Sequence, residues 1–237
     1  MAYLALSRPE ALNAPDRALL REFEQAMAKV RDSSANVLVT SGEGRAYSAG
    51  SDLKELAPCS PDEAARLESE HGRVFRLLDD LPQVTVAAWR GYVLGGGAFL
   101  GLYHDFRVAA QSAQIGLPEV PLGWTPPWGI SRLVELVGWP AARRLLLVDF
   151  NLDGSSAHAM GLVDAVWPDE QFDEQIQLWV QQLASRAPEA LAETKALLSE
   201  MRWLDHEAWD QRGCEAFARC FGAPAGREAV KRFLKRE

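Results

Sequence analysis

Three short segments of the 237-residue chain concentrate the residue types that chemistry needs. The first, Gly44-Arg45-Ala46-Tyr47-Ser48-Ala49-Gly50-Ser51-Asp52-Leu53-Lys54-Glu55-Leu56, crowds small residues into a turn that a ligand or another stretch of chain can approach closely. On its own it reads first as a strand-to-helix loop capped by Asp52. The second, Gly91-Tyr92-Val93-Leu94-Gly95-Gly96-Gly97-Ala98-Phe99-Leu100, follows a strand and opens a helix. Free N–H groups and the positive end of the helix dipole there face a negative oxygen well. Glycines that permit tight helix packing are the competing account. The third, residues 115–133, sets Glu119 among apolar and aromatic residues, Trp124 and Trp128 included. Such surroundings penalise the charged carboxylate and raise its pKa toward the working range of a general base. An exposed glutamate in a proline-rich loop is the alternative.

Other chemistries fit less well. The glycine segment is not a dinucleotide fingerprint, since Leu100 stands at the third glycine position, and no Gly-Lys-Ser/Thr marks a phosphate loop. His71, His104, His158 and His206 are scattered without metal-ligand spacing, so no metal site is expected and each reads as a surface or satisfied helix histidine. Ser48 fails the nucleophile-elbow pattern because Ala46 occupies the leading glycine position. Cys59, Cys214 and Cys220 form neither a C-x-x-C pair nor a disulfide framework, which points to a reducing compartment, the cytoplasm. A net charge of −8 argues against a nucleic-acid partner, and no apolar stretch approaches membrane-span length or reads as a signal peptide.

The elements that must position these segments alternate. Residues 3–7, 36–40, 84–89 and 106–110 read as strands, and helices are expected at 16–30 and at 60–79. Ser60, Pro61 and Glu63 give the second helix a capping-box start. Strands alternating with helices imply an α/β fold with crossover connections. From Gly129 onward helices dominate, at 130–137, 141–147, 155–160, within 169–186, and at 188–202, 205–221 and 226–236. The shift near residue 168 reads as a change of layer within one domain.

In this order and spacing the three segments resemble the enoyl-CoA hydratase/isomerase (crotonase) superfamily, and the resemblance covers nearly the whole chain. The opening Leu6-Ser7-Arg8-Pro9-Glu10-Ala11-Leu12-Asn13-Ala14 is similar to that family's first-strand signature. Residues 155–163, ending in Met160-Gly161-Leu162-Val163, are similar to its short helix before the last strand. The resemblance implies a crotonase-like spiral of ββα units over residues 1–168. It also implies a C-terminal helical trimerisation region of the same domain over 169–237, and a homotrimer or homohexamer.

For the site, the resemblance implies an acyl-CoA substrate, with the thioester oxygen held by the N–H groups of Ser51 and Gly96. One preorganised donor of this kind contributes roughly 3–4 kcal/mol. No metal or redox cofactor is implied; coenzyme A enters as part of the substrate. Family hydratases carry two glutamates, and here Phe99 stands where the first belongs while Glu119 matches the second. A single base suits transfer of a proton between C2 and C4, the isomerase pattern, with a hydratase, a hydratase/lyase or a non-catalytic acyl-CoA-binding subunit as alternatives. By family position Ala46, Ala49 and Asp52 fall beside pantetheine and adenine, Lys54 near the phosphates, and Phe233 and Lys235 over the nucleotide. Trp124 and Trp128, in place of a more glycine-rich segment, belong to the acyl pocket.

Overall fold

The β-branched runs form strands buried on both faces. In the computed structural model, which describes residues 1–148, 151–200 and 206–235, β1 (Ala2–Leu6), β2 (Val37–Gly42), β4 (Val84–Trp89), β6 (Phe106–Ala110) and β9 (Ala165–Trp167) make one sheet in the order β1-β2-β4-β6-β9, every neighbour parallel. Side chains alternate across it with the two-residue period of a strand. Leu38, Ala87, Trp89 and Ala109 enter the main core, while Val37, Val39, Val84, Val86 and Val108 face a second apolar layer.

A smaller sheet joins β3 (Ala46–Ser48), β5 (Tyr92–Leu94) and β7 (Gln114–Gly116) in parallel and adds the two-residue β8 (Asn151–Leu152) antiparallel to β7. Each consecutive pair, β2–β3, β4–β5 and β6–β7, gives one strand to each sheet, so the chain climbs as a spiral. The ββα units implied by the resemblance supply this second sheet, although its individual strands were not read from the residues, because strands of two or three residues leave no readable alternation.

The helices start where their caps are. Asp16 accepts a hydrogen bond from the Leu19 N–H (2.8 Å) to open α1 (Arg17–Arg31), which buries Leu19, Leu20, Phe23, Met27 and Val30. Ser60 and Glu63 form both halves of the capping box at the head of α3 (Pro61–Arg76). That helix stops three residues short of the expected end, and residues 77–79 continue as turns. Between β5 and β6 lies α4 (Gly96–Leu102). His104, just beyond it, is pinned to the Leu100 carbonyl (3.2 Å) and to Thr40 of β2 (2.8 Å). Burial drives its pKa down to about 3, so it packs there as a neutral ring.

The expected helices at 130–137 and 141–147 are a single element, α5 (Ile130–Leu147), broken at Gly138 (φ 72°) just before Pro140. After α6 (Gly154–Ala159), α7 (Phe172–Ala184) covers the outer face of the larger sheet with Phe172, Ile176 and Val180. Lys195 anchors α8 (Pro188–Glu200), its buried ammonium reaching Asp105 (2.8 Å) and the carbonyls of Leu78 and Gln83. Then α9 (His206–Gly222) and α10 (Pro224–Leu234) pack Phe217, Phe221 and Val230 against Leu67 of α3 and Trp124. Residues 201–205 and 236 of the expected tail helices lie outside the described residues. Among the described residues no helix is long and apolar enough to cross a membrane.

Gly101 marks the closest approach of α4 to the main sheet, since a Cβ there lies 2.3 Å from Cζ2 of Trp89. Gly101→Ala is therefore expected to cost about 1–3 kcal/mol through overpacking. The measurement is a denaturant titration, where the midpoint falls and the slope is unchanged.

Candidate active site

The loop before α2 (Leu53–Leu56) is held in place by the opening of the chain. Asn13, fully buried and in the left-handed region (φ 56°), donates through Nδ2 to the carbonyls of Glu43 (2.9 Å) and Ala46 (2.7 Å), and its Oδ1 accepts from the Arg8 N–H (2.8 Å). Ser48 Oγ donates back to the Asn13 carbonyl, and the Ala49 N–H donates to Leu12. The Arg8 guanidinium pairs with both Asp16 and Asp52 at 3.2 Å. These bonds tie down the small-residue segment although it contains little regular structure.

So fixed, the loop meets the N-terminus of α4. Gly50 (φ 84°) has no room for a side chain, because a Cβ there lies 2.9 Å from the Gly96 nitrogen. Ser51 follows immediately, and Gly96 is the first residue of α4, so both main-chain N–H groups sit at this junction. The Gly96 N–H is one of the four unpartnered donors that a helix start leaves. Neither N–H has a hydrogen-bond acceptor among the described residues.

Glu119 arrives at the same junction from the loop after β7. Gly95, also with positive φ (50°), leaves space for its carboxyl group: a Cβ there lies 2.9 Å from Glu119 Oε1. The side chain is 7 % exposed, and Oε2 has no partner among the described residues. Burial, with a smaller contribution from the negative charge of Glu68, pushes its pKa up to about 8. The sequence expectation of a desolvated acid, and not an exposed loop glutamate, is what the structure has. Its main-chain carbonyl accepts from Leu122 and Trp124, which turns the chain sharply and returns the indoles over the site.

A cleft of about 530 Å³, counting its open mouth, connects these groups. Its polar groups are Ser51, Gly96, Glu119 and Glu68; Ala49, Phe99, Trp124, Trp128 and Phe217 supply apolar walls. Of the residues singled out in the sequence, Ala46, Asp52, Lys54, Phe233 and Lys235 do not line it. Asp52 is taken up by Arg8 and by capping α2, and Ala46 is buried in β3. Phe233 and Lys235 stand exposed at the end of α10.

Glu68 was missed, and it corrects the expectation that the site holds one carboxylate. It is 2 % exposed on the inner face of α3, in line with Ala64, His71 and Phe75. The helical period of that buried stripe was the available signal: a carboxylate and a histidine occupy positions where only apolar residues bury without cost. Burial by itself would raise the Glu68 pKa. The His71 ring (Nδ1, 3.4 Å), the Ser51 hydroxyl and the Trp128 indole N–H (3.0 Å) overcome that and hold it below the ordinary carboxylate value. His71 is accordingly not a surface histidine; it is 1 % exposed, and its Nε2 has no partner among the described residues. The side chain of His206 lies outside the described residues. Among those described, no cluster of three or more metal-binding side chains occurs.

Two sheets wound from ββα pairs, with helices closing over their junction, define the crotonase fold. The chain belongs to the enoyl-CoA hydratase/isomerase family, whose model matches residues 1–235. It is 32 % identical to the crotonyl-CoA hydratase of Syntrophomonas wolfei over 239 residues, covering 100 % of this chain and 92 % of that protein. It is 34 % identical to the enoyl-CoA isomerase/hydratase fer4 of Mycosarcoma maydis, over 83 % of this chain and 76 % of that one. A solved structure of the enoyl-CoA hydratase from Bacillus anthracis superimposes with a TM-score of 0.82 at 28 % identity, covering 99 % and 92 % of the two chains.

The raised pKa of Glu119 has a consequence for stability. The folded state keeps its proton up to about pH 8 while the unfolded chain releases it near 4.5, so stability present at low pH is lost as pH rises between those values. Glu119→Gln removes that loss. Thermal melts are expected to show the variant stabilised relative to wild type by a few kcal/mol more at pH 9 than at pH 4, on the order set by 1.36 kcal/mol per pKa unit; a pH-independent difference contradicts the assignment.

Proposed function

We propose that this protein transfers protons at the carbon beside the carbonyl of an enoyl-coenzyme A thioester, with Glu119 as the acid–base group and the N–H groups of Ser51 and Gly96 holding the thioester oxygen. The observation that carries the reading is the meeting of a buried carboxyl, one oxygen unpartnered, with two main-chain donors that have no acceptor, among the described residues. Removing a C2 proton places charge on the thioester oxygen, and prepositioned amides stabilise it without reorganising. Ionised, Glu119 takes the C2 proton of a 3-enoyl-CoA; returning it to C4 completes a double-bond shift. Protonated, it is a donor to C2, the step that finishes hydration of a 2-enoyl-CoA. The family model spans both chemistries, and the raised pKa keeps both the acid and the base form of Glu119 within reach near neutral pH.

The test separates this reading from a binding-only role. Exchange of the C2 protons of a saturated acyl-CoA into deuterated water, followed by mass spectrometry, is expected in the wild type. It should fall on the order of 10²–10⁴-fold in Glu119→Gln, which keeps its far-ultraviolet circular dichroism. Exchange within a few-fold of wild type in that variant would sink the assignment.

A further inference from the structure

We propose that Glu68 is a second acid–base group of this cleft, supplied by α3 instead of α4, and that it orients and deprotonates the water that adds to C3 of a 2-enoyl thioester. The inference rests on the Glu119 reading above and adds to it the fate of water.

Geometry supports the placement. Glu68 lines the same cleft as Glu119, on a different wall. Three side chains from three elements gather at its carboxylate: Trp128 from the loop before α5 donates through Nε1 (3.0 Å), His71 one turn on in α3 sets Nδ1 at 3.4 Å, and the Ser51 hydroxyl from the loop before α2 lies against that same Nδ1 (3.4 Å). The groups that face it are these three, the Glu119 carboxyl, and the Cys214 thiol of α9, whose ionisation burial and the Glu68 charge both oppose. Its surroundings therefore favour the anion, while those of Glu119 favour the acid. Two carboxyl groups pushed in opposite directions across one cavity divide the work of base and acid between them.

The α4 position that resembles the family's first glutamate site is filled in a way that fits this arrangement. Phe99 lies edge-on to Trp128 (ring centroids 5.7 Å apart), and Phe75 and Tyr103 contact the same indole. This aromatic cluster holds the indole whose N–H reaches Glu68. Ser51 joins the two halves of the site, since its main-chain nitrogen lies beside Gly96 and its hydroxyl reaches Nδ1 of His71, the partner of Glu68.

The step balances as an addition of water. Glu68 accepts a proton from water as the water oxygen bonds to C3, and the C2=C3 electron pair moves to give the enolate, its charge at the Ser51 and Gly96 amides. The protonated Glu119 then gives its proton to C2 as the carbonyl re-forms. Glu68 ends protonated and Glu119 ionised, and one proton passed between them through solvent restores the starting state.

The experiment measures two rates on each variant, hydration of a short 2-enoyl-CoA and C2 exchange of a saturated acyl-CoA. In Glu68→Gln, which preserves volume, the ratio of hydration to exchange is expected to fall on the order of 10²-fold. Equal falls in both rates, or an unchanged ratio, overturn the proposal. A wild type that exchanges C2 protons but does not hydrate also overturns it and leaves the Glu119 reading standing; a wild type that does neither removes both. Should Glu68→Gln fail to fold, Trp128→Phe supplies the second test. Removing one donor raises the Glu68 pKa, so the acid limb of the hydration pH profile moves to higher pH, and an unmoved limb counts against the role of Glu68.

Discussion

A carboxyl group held away from water is the constraint around which the rest of the molecule is arranged. Glu119 gains nothing from burial, since its charge is penalised there and one oxygen has no partner among the described residues. What retains it is the backbone on either side. Pro118 fixes the approach, the turn closed on the Glu119 carbonyl brings Trp124 over the cleft, and Gly95 leaves the gap that the carboxyl fills. The cost is carried by a large core elsewhere, in which both faces of the main sheet are buried.

The same economy governs Glu68. A charged group on the buried stripe of a helix is tolerated when polar partners reach it, and here Trp128 and His71 do so, with the Ser51 hydroxyl behind His71. Aromatic packing then becomes part of the electrostatics, because Phe75, Phe99 and Tyr103 fix the indole that is one of those partners. Ion pairs do comparable work outside the cleft: Arg8 joins the first loop to the second through Asp16 and Asp52, and Arg107 with Asp164 ties β6 to the turn before β9.

What the sequence disclosed depended on how local each signal was. The long strands, the caps at Asp16 and Ser60 and the stripe of α1 rest on neighbours within one turn or one strand, and all are present in the structure. The desolvation of Glu119 was legible because its apolar surroundings are contiguous with it. The individual strands of the second sheet were not, since strands of two or three residues exist through pairing alone, and only the family resemblance implied them. Glu68 was hidden for a related reason: Ser51, Trp128 and Glu119 are remote in sequence, and only packing of α3 against the two loops brings them together. Asp52 shows the reverse, a residue whose motif position pointed to the ligand while Arg8 holds it in the framework.

Asp210 of α9 accepts from the Gly129 N–H (2.9 Å) and the Tyr103 hydroxyl (3.0 Å), is ion-paired with Arg76 of α3, and lies two turns before Phe217, which forms part of the cleft wall. The pocket is thus bounded by segments far apart in the chain, from Ala49 to Phe217. Both glutamates and both amides come from residues 51–119, whereas the clamp beside Trp128 comes from Asp210. Assembly of the cleft therefore depends on α9, because the Asp210 contacts and Phe217 close a wall that the preceding segments leave open.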